Sequence, residues 1–174
     1  AATGAIAGLC PITESSLGDG IFNGINFRDY GGHFGVGSDS NIHIALWEEL
    51  ATLDYSQRLR DLRRAAMATP GLSTGRYLFN SATLAGARAA GRSSGQIAEG
   101  KIADLMAVST DNEFLCNRSG DTVLDSLIFT GRGRNCVTDV WSAGRHMVRD
   151  GRYIHRERVV AQFVQVSKQL GQNI

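Results

Sequence analysis

Neither sign of charge is in excess: 18 Lys and Arg against 17 Asp and Glu leave a formal net charge of +1 on 174 residues. Such a chain lacks the basic surface that holds nucleic acid or an anionic membrane, and neither is expected as a partner. Cysteine is scarce too. Cys10, Cys116 and Cys136 are odd in number and far apart, which leaves no disulfide framework and no paired-cysteine metal motif. A reducing, cytoplasmic setting fits this usage. The only prolines, Pro11 and Pro70, both read as breaks. No internal repeat or low-complexity tract occurs. The opening apolar segment is too short to span a bilayer and lacks a signal peptide's charged leader. What remains, 43% hydrophobic and 20% charged, is the composition of a soluble globular protein with one ordinary domain or two small ones. The chain opens without methionine and runs straight into an apolar segment, so it is expected to be a C-terminal segment of a larger protein.

What is present centres on His33-Phe34-Gly35-Val36-Gly37-Ser38-Asp39-Ser40-Asn41. Phe34 and Val36 alternate with glycines and read as a short buried strand. The polar run after it lies where parallel α/β folds keep their catalytic groups. Asp39 there can ligate a metal, take a proton from water, or cap the next helix. Capping is the plainest of these readings, although Ser40 or Asn41 would cap equally well. Upstream, 4–9 reads as a strand, 10–14 ends it, 15–20 is a loop of turn formers, and 25–30 is a short helix closed by Gly31 and Gly32. Strand, loop, short helix, strand is the grammar of a parallel α/β sheet.

Apolar spacing then predicts a helix over 44–67, with Arg58, Arg60, Arg63 and Arg64 toward its end. That cluster reads first as a solvated face and second as an anion site for a carboxylate substrate. Thr69-Pro70-Gly71 breaks the pattern, and 74–90 is a second helix. Ser81 and Thr83 have no visible base to make them nucleophiles. From Gly95 the pattern changes to two turns and a strand over 105–108, a short helix over 124–129, and a hairpin over 137–151 turning at Ala143-Gly144. The stretch 157–170 is amphipathic and expected to pack across one face.

These residues carry a resemblance. Gly95-x-Ile97-Ala98-x-Gly100-Lys101-x-Ala103-Asp104-Leu105, followed by Val137-x-x-Val140-x-x-x-Gly144-x-x-Met147-Val148-x-x-Gly151, resembles the C-terminal half of amidohydrolase-superfamily deaminases. Cys10-Pro11-Ile12-Thr13-Glu14 and Gly18-Asp19-Gly20-Ile21-Phe22 narrow the likeness. Most of the superfamily has Ser-Asn where this chain has Thr13-Glu14, and the Thr-Glu form is similar to the formimidoylglutamate deiminase branch, which serves histidine degradation. The likeness runs from Thr3 to about Phe163.

The resemblance implies an α/β fold: the C-terminal part of a (β/α)8 barrel, its last two strands and helices, plus part of a small β-sandwich. The expected division is 1–94 for the barrel portion, 95–155 for the sandwich portion and 156–174 for a terminal helix. It implies one Zn²⁺ at the barrel mouth, with Asp39 as a metal ligand and as the catalytic acceptor of the proton from the metal's water, which then attacks a formimidoyl carbon. Glu14 and His43 are candidate substrate-binding residues. The substrate is a small molecule, N-formimidoyl-L-glutamate, hydrolysed to N-formyl-L-glutamate and ammonia, and the whole protein is expected to be a homodimer. The family's His-x-His pair is missing. His146 and His155 read as surface or packing residues, and His33 opens the strand at the wrong end for chemistry. One aspartate cannot hold a zinc that needs about three protein ligands, so the isolated chain is expected to be inactive. The alternatives are another deaminase or chlorohydrolase of the superfamily, acting on a nucleobase or triazine, or a non-catalytic structural module.

Overall fold

The computed structural model describes residues 3–131, 133 and 135–172. In chain order the elements are β1 (Ile6–Leu9), α1 (Pro11–Leu17), α2 (Gly24–Asp29), β2 (His33–Val36), α3 (Leu46–Asp61), α4 (Thr74–Ala89), β3 (Leu105–Val108), α5 (Asp121–Phe129), β4 (Val137–Ser142), β5 (Arg145–Arg149), β6 (Arg152–Tyr153) and α6 (Arg156–Gly171). They form two compact units, one of residues 1–102 and 110–134 and the other of 103–109 and 135–174. This differs from a division at 94 and 155, because α5 packs on α3 and α4 and so joins the first unit, while α6 belongs to the second. The outer ends of the expected division, residues 1–2 and 173–174, lie outside the described residues.

In the first unit β1 and β2 pair in parallel, Ile6 opposite His33 and Leu9 opposite Val36. The Gly37 N–H extends the ladder by donating to the Leu9 carbonyl at 2.9 Å. Both chains therefore leave the sheet at the same end, β1 into Cys10 and β2 into Ser38 and Asp39. Gly35 lets α4 press onto β2, since a Cβ there would stand 3.0 Å from the Gly86 Cα. The helices enclose Phe34, Leu50, Leu53, Met67, Leu78, Leu115 and Ile128, all fully buried. Polar side chains stitch the connections. Buried Gln57 accepts the Gly24 N–H at 3.0 Å and donates to the Phe22 carbonyl at 2.8 Å, which fixes the entry to α2.

Two expectations need correction. The stretch 15–20 is not all loop: α1 continues to Leu17, because the Ser15 and Ser16 hydroxyls turn back to the Pro11 and Ile12 carbonyls, and Gly18 at φ +74° ends it. The 44–67 helix is shorter. Its first turn starts at Leu46, and Leu62 leaves the helix at φ +52°. Ala66 and Met67 prolong the apolar pattern as fully buried loop residues.

The second unit is a four-stranded antiparallel sheet in the order β3-β4-β5-β6, so the expected part of a sandwich is here one sheet. Ala143 at φ +49° and Gly144 at φ +77° make the β4–β5 turn as expected. The expectation that α6 packs across a face is overturned, because no residue of the helix is buried and Phe163 is 71% exposed. Amphipathic spacing specifies an apolar stripe but not the surface that covers it.

Candidate active site

The site is built at the end of the parallel sheet where β1 and β2 stop. Ser38 follows β2, and its carbonyl is held from two sides. The Thr13 hydroxyl on α1 donates to it at 2.7 Å, and the Asn41 N–H donates to it at 3.1 Å. The turn so closed carries Asp39 at φ +51°, a left-handed conformation that aspartate tolerates better than most residues. The Asn41 Oδ1 in turn accepts the His43 N–H at 2.9 Å. Asp39 is exposed, with no hydrogen bond or ion pair to the described residues.

The capping reading fails. The N-cap of α3 is Ala45, without a side-chain cap bond, so neither Asp39, Ser40 nor Asn41 serves that helix.

Helices α1 and α3 carry three more acidic side chains in their first turns, with different engagements. The Glu14 Oε1 accepts the Cys10 N–H at 2.7 Å, a reach-back that caps its own helix. His43 is half exposed and pairs through Nε2 with the Glu48 Oε2 at 2.7 Å. Glu49, in the first turn of α3, is only 2% exposed. Its Oε2 accepts the Ile12 N–H at 2.9 Å, while its Oε1 is buried with no partner among the described residues. Burial pushes the Glu49 carboxyl above the usual carboxylate range and the charge of Glu14 adds to this, against the Ile12 N–H and His43. The Cys10 thiol is also raised, first by burial and then by Asp39, Glu14 and Glu49, which keeps it protonated and unsuited to nucleophilic attack. Glu49 escaped the sequence reading, although its place one turn before Leu53 and beside Leu50, both buried, marks it as inward-facing.

The other candidates stay apart. His33 begins β2 at the far end of the strand. His146 bonds Asp139 at 2.6 Å and stacks on Trp141, and His155 is the residue before α6. Two arginines of the cluster are engaged within the fold. Arg58 pairs with Asp54 and lies over the Tyr55 and Phe129 rings, and Arg60 pairs with Asp61 at 2.8 Å. The Thr83 hydroxyl is spent on the Phe79 carbonyl at 2.9 Å. Among the described residues no three His, Cys, Asp or Glu side chains converge as a metal would require. The unpaired Asp39 carboxylate fits one place in such a donor set and no more.

Comparison with known proteins gives this geometry its context. Residues 2–147 match the model of the Amidohydrolase family. A curated relative, formimidoylglutamate deiminase of Pseudomonas aeruginosa, is 43% identical over 98% of this chain. The chain spans only 38% of that relative's length. The crystal structure of an amidohydrolase from Brucella melitensis superposes with a TM-score of 0.86 at 43% identity, over 95% of this chain and 36% of that one. Atrazine chlorohydrolase from Arthrobacter aurescens, crystallised with zinc, superposes with a TM-score of 0.73 at 25% identity, over 92% of this chain and 35% of that one.

Proposed function

The chain belongs to the amidohydrolase family, and from that premise we propose that it is the C-terminal part of a zinc-dependent deaminase acting on N-formimidoyl-L-glutamate. The parallel β1–β2 pair with its helices would be the last two strand–helix units of a (β/α)8 barrel, whose sites gather at the C-terminal ends of the strands. The observation that carries the reading is Asp39: an exposed carboxylate, without a partner among the described residues, in a left-handed turn at that end, capping no helix among them. The 43% identity with a formimidoylglutamate deiminase favours an amidine substrate over a triazine.

Zinc, when bound, would lower the pKa of a water toward neutrality and make it nucleophilic. Asp39 would supply one ligand, and the rest of the donor set would come from outside the described residues. This chain's own work is proton transfer and orientation. An Asp39 carboxylate oxygen takes a proton from the attacking water. The water oxygen bonds to the formimidoyl carbon while the terminal nitrogen takes the proton that Asp39 has accepted; the added hydroxyl then gives its own proton to that nitrogen as the formyl C=O forms, the carbon–nitrogen bond breaks, and ammonia leaves with N-formyl-L-glutamate as the other product. Thr13 and Asn41 hold the Ser38 carbonyl and thereby the backbone that aims Asp39. Glu14 and His43 would line the mouth. Glu14 is fixed through Oε1 and would meet a cationic amidine through Oε2, and His43 is oriented by Glu48.

The test is ammonia release by the intact protein from N-formimidoyl-L-glutamate, beside adenosine and atrazine. Turnover of the formimidoyl compound with the other two inert is expected. Preference for either of the others would overturn the substrate assignment.

A further inference from the structure

We propose that Glu49 is a positioning residue for the mouth, setting the Asp39 turn through a relay of three hydrogen bonds that begins on α3. The proposal builds on the assignment of Asp39 above. Glu49 stands in the first turn of a 16-residue helix and is 2% exposed. Its Oε2 accepts the Ile12 N–H at 2.9 Å, a donor in the first turn of α1 that Pro11 and the helix itself leave unpaired. That bond fixes the first turn of α1, and the next residue, Thr13, is 7% exposed and donates its hydroxyl to the Ser38 carbonyl at 2.7 Å. The same carbonyl accepts the Asn41 N–H at 3.1 Å, closing the turn on which Asp39 rides. The ends of the relay are 37 residues apart along the chain at its first bond and 25 at its second, so local sequence does not impose the arrangement.

The unpartnered Oε1 says which form of Glu49 does this. Burying a carboxylate with one oxygen unpartnered among the described residues is costly, which shifts Glu49 toward the neutral acid. The groups facing it are the Glu14 carboxylate and the Ile12 N–H from α1, the Cys10 thiol just before it, and His43 from the loop before α3. An acid needs only its acceptor oxygen to hold Ile12. Glutamine has the same shape and the same acceptor, and should substitute for it.

The experiment uses the intact protein with Glu49→Gln, Glu49→Ala and Thr13→Val, followed by steady-state kinetics and amide hydrogen exchange. Glu49→Ala should lower kcat by about tenfold or more with a smaller change in KM, as misplacement of a reacting group does. It should also speed exchange at both the Ile12 and Asn41 amides. Glu49→Gln should restore both readouts. Thr13→Val should speed exchange at Asn41 and leave Ile12 protected, because it cuts the relay in the middle. A Glu49→Ala protein whose Asn41 protection is unchanged would confine Glu49 to holding α1 and overturn the proposal. So would a Glu49→Gln protein as impaired as the alanine variant, which would mean the charge matters. If the wild type does not turn over N-formimidoyl-L-glutamate, the substrate reading fails by itself, and exchange at Asn41 still decides the relay.

Discussion

Asp54 and Glu49 are both buried on α3, and they are satisfied differently. Asp54 is 0% exposed; its Oδ1 accepts the Met67 N–H at 2.9 Å and its Oδ2 takes the Arg58 guanidinium. Removing it strands a buried N–H and a cation lying on two aromatic rings. Asp54→Ala should therefore cost about 3 kcal/mol in urea unfolding of the intact protein, the scale of a broken buried pair. Glu49 makes the opposite pH prediction to a paired carboxylate. Its folded pKa is raised above its ordinary value, so the folded state holds the proton more tightly than the unfolded chain does. The stability it contributes is complete below the unfolded value and is lost as pH rises through the folded one. Thermal unfolding should show Glu49→Gln gaining on wild type as pH rises above the ordinary glutamate range, since glutamine has no proton to lose. A difference that stays constant with pH would mean that Glu49 is not held as the acid. Asp139 and Asp121 shift downward, held by Thr138 and His146 in one case and Arg76 in the other, and they contribute the reverse trend at the acid end. Arg58 four residues after Asp54 and Thr138 beside Asp139 are visible in the spacing, but the Ile12, Met67 and Arg76 partners depend on which segment the chain brings back to meet them.

The elements themselves follow local rules, and so do their weak points. The β4–β5 turn requires two left-handed residues, yet one of them is Ala143 at φ +49°. Asparagine or glycine suits that position better, and the Ala143 N–H bond to the Asp104 Oδ1 at 2.8 Å survives either change. Ala143→Asn should raise stability by about 0.5–1 kcal/mol, seen as a higher melting temperature. Gly75 at the start of α4 is the reverse case. A Cβ there would lie 2.7 Å from the Asp125 backbone nitrogen, and Gly75 also donates its N–H to the Asp125 Oδ1 at 2.7 Å. Gly75→Ala should cost about 1–3 kcal/mol by forcing α4 from α5, measured by chemical denaturation. The strands, the hairpin turn and the two long helices were legible because alternation, glycine pairs and helical spacing are local signals. The end of α3 was not. Leu62 continues the apolar pattern to the eye, but it is 91% exposed and turns left-handed, and nothing local distinguishes it from Leu59. The stretch 15–20 misled because serines that favour turns also bond back along a short helix.

At the scale of the whole molecule, Asp39 was legible as a candidate because a polar run after a short strand is a positional signal in parallel α/β sheets. Its release from capping was not legible, since that depends on α3 starting at Leu46. The supporting shell was hidden for the same reason: Glu49 meets Ile12, and Thr13 meets Ser38, only in the folded chain. The chain spans 38% of its P. aeruginosa relative and brings no three metal-binding side chains together among the described residues. Expressed alone, the 174 residues should therefore bind no stoichiometric zinc by elemental analysis and release no ammonia from N-formimidoyl-L-glutamate.

The central claim is that Asp39 takes a proton at the site and is not a structural residue. The measurement that tests it most directly is turnover of N-formimidoyl-L-glutamate by the intact Asp39→Asn protein at saturating zinc. Asparagine fills the same space and tolerates the same left-handed backbone, but its amide cannot accept a proton from water at neutral pH. The account predicts ammonia release lowered by at least about a hundredfold, with thermal stability close to wild type because Asp39 caps no helix. A turnover rate near wild type would contradict it.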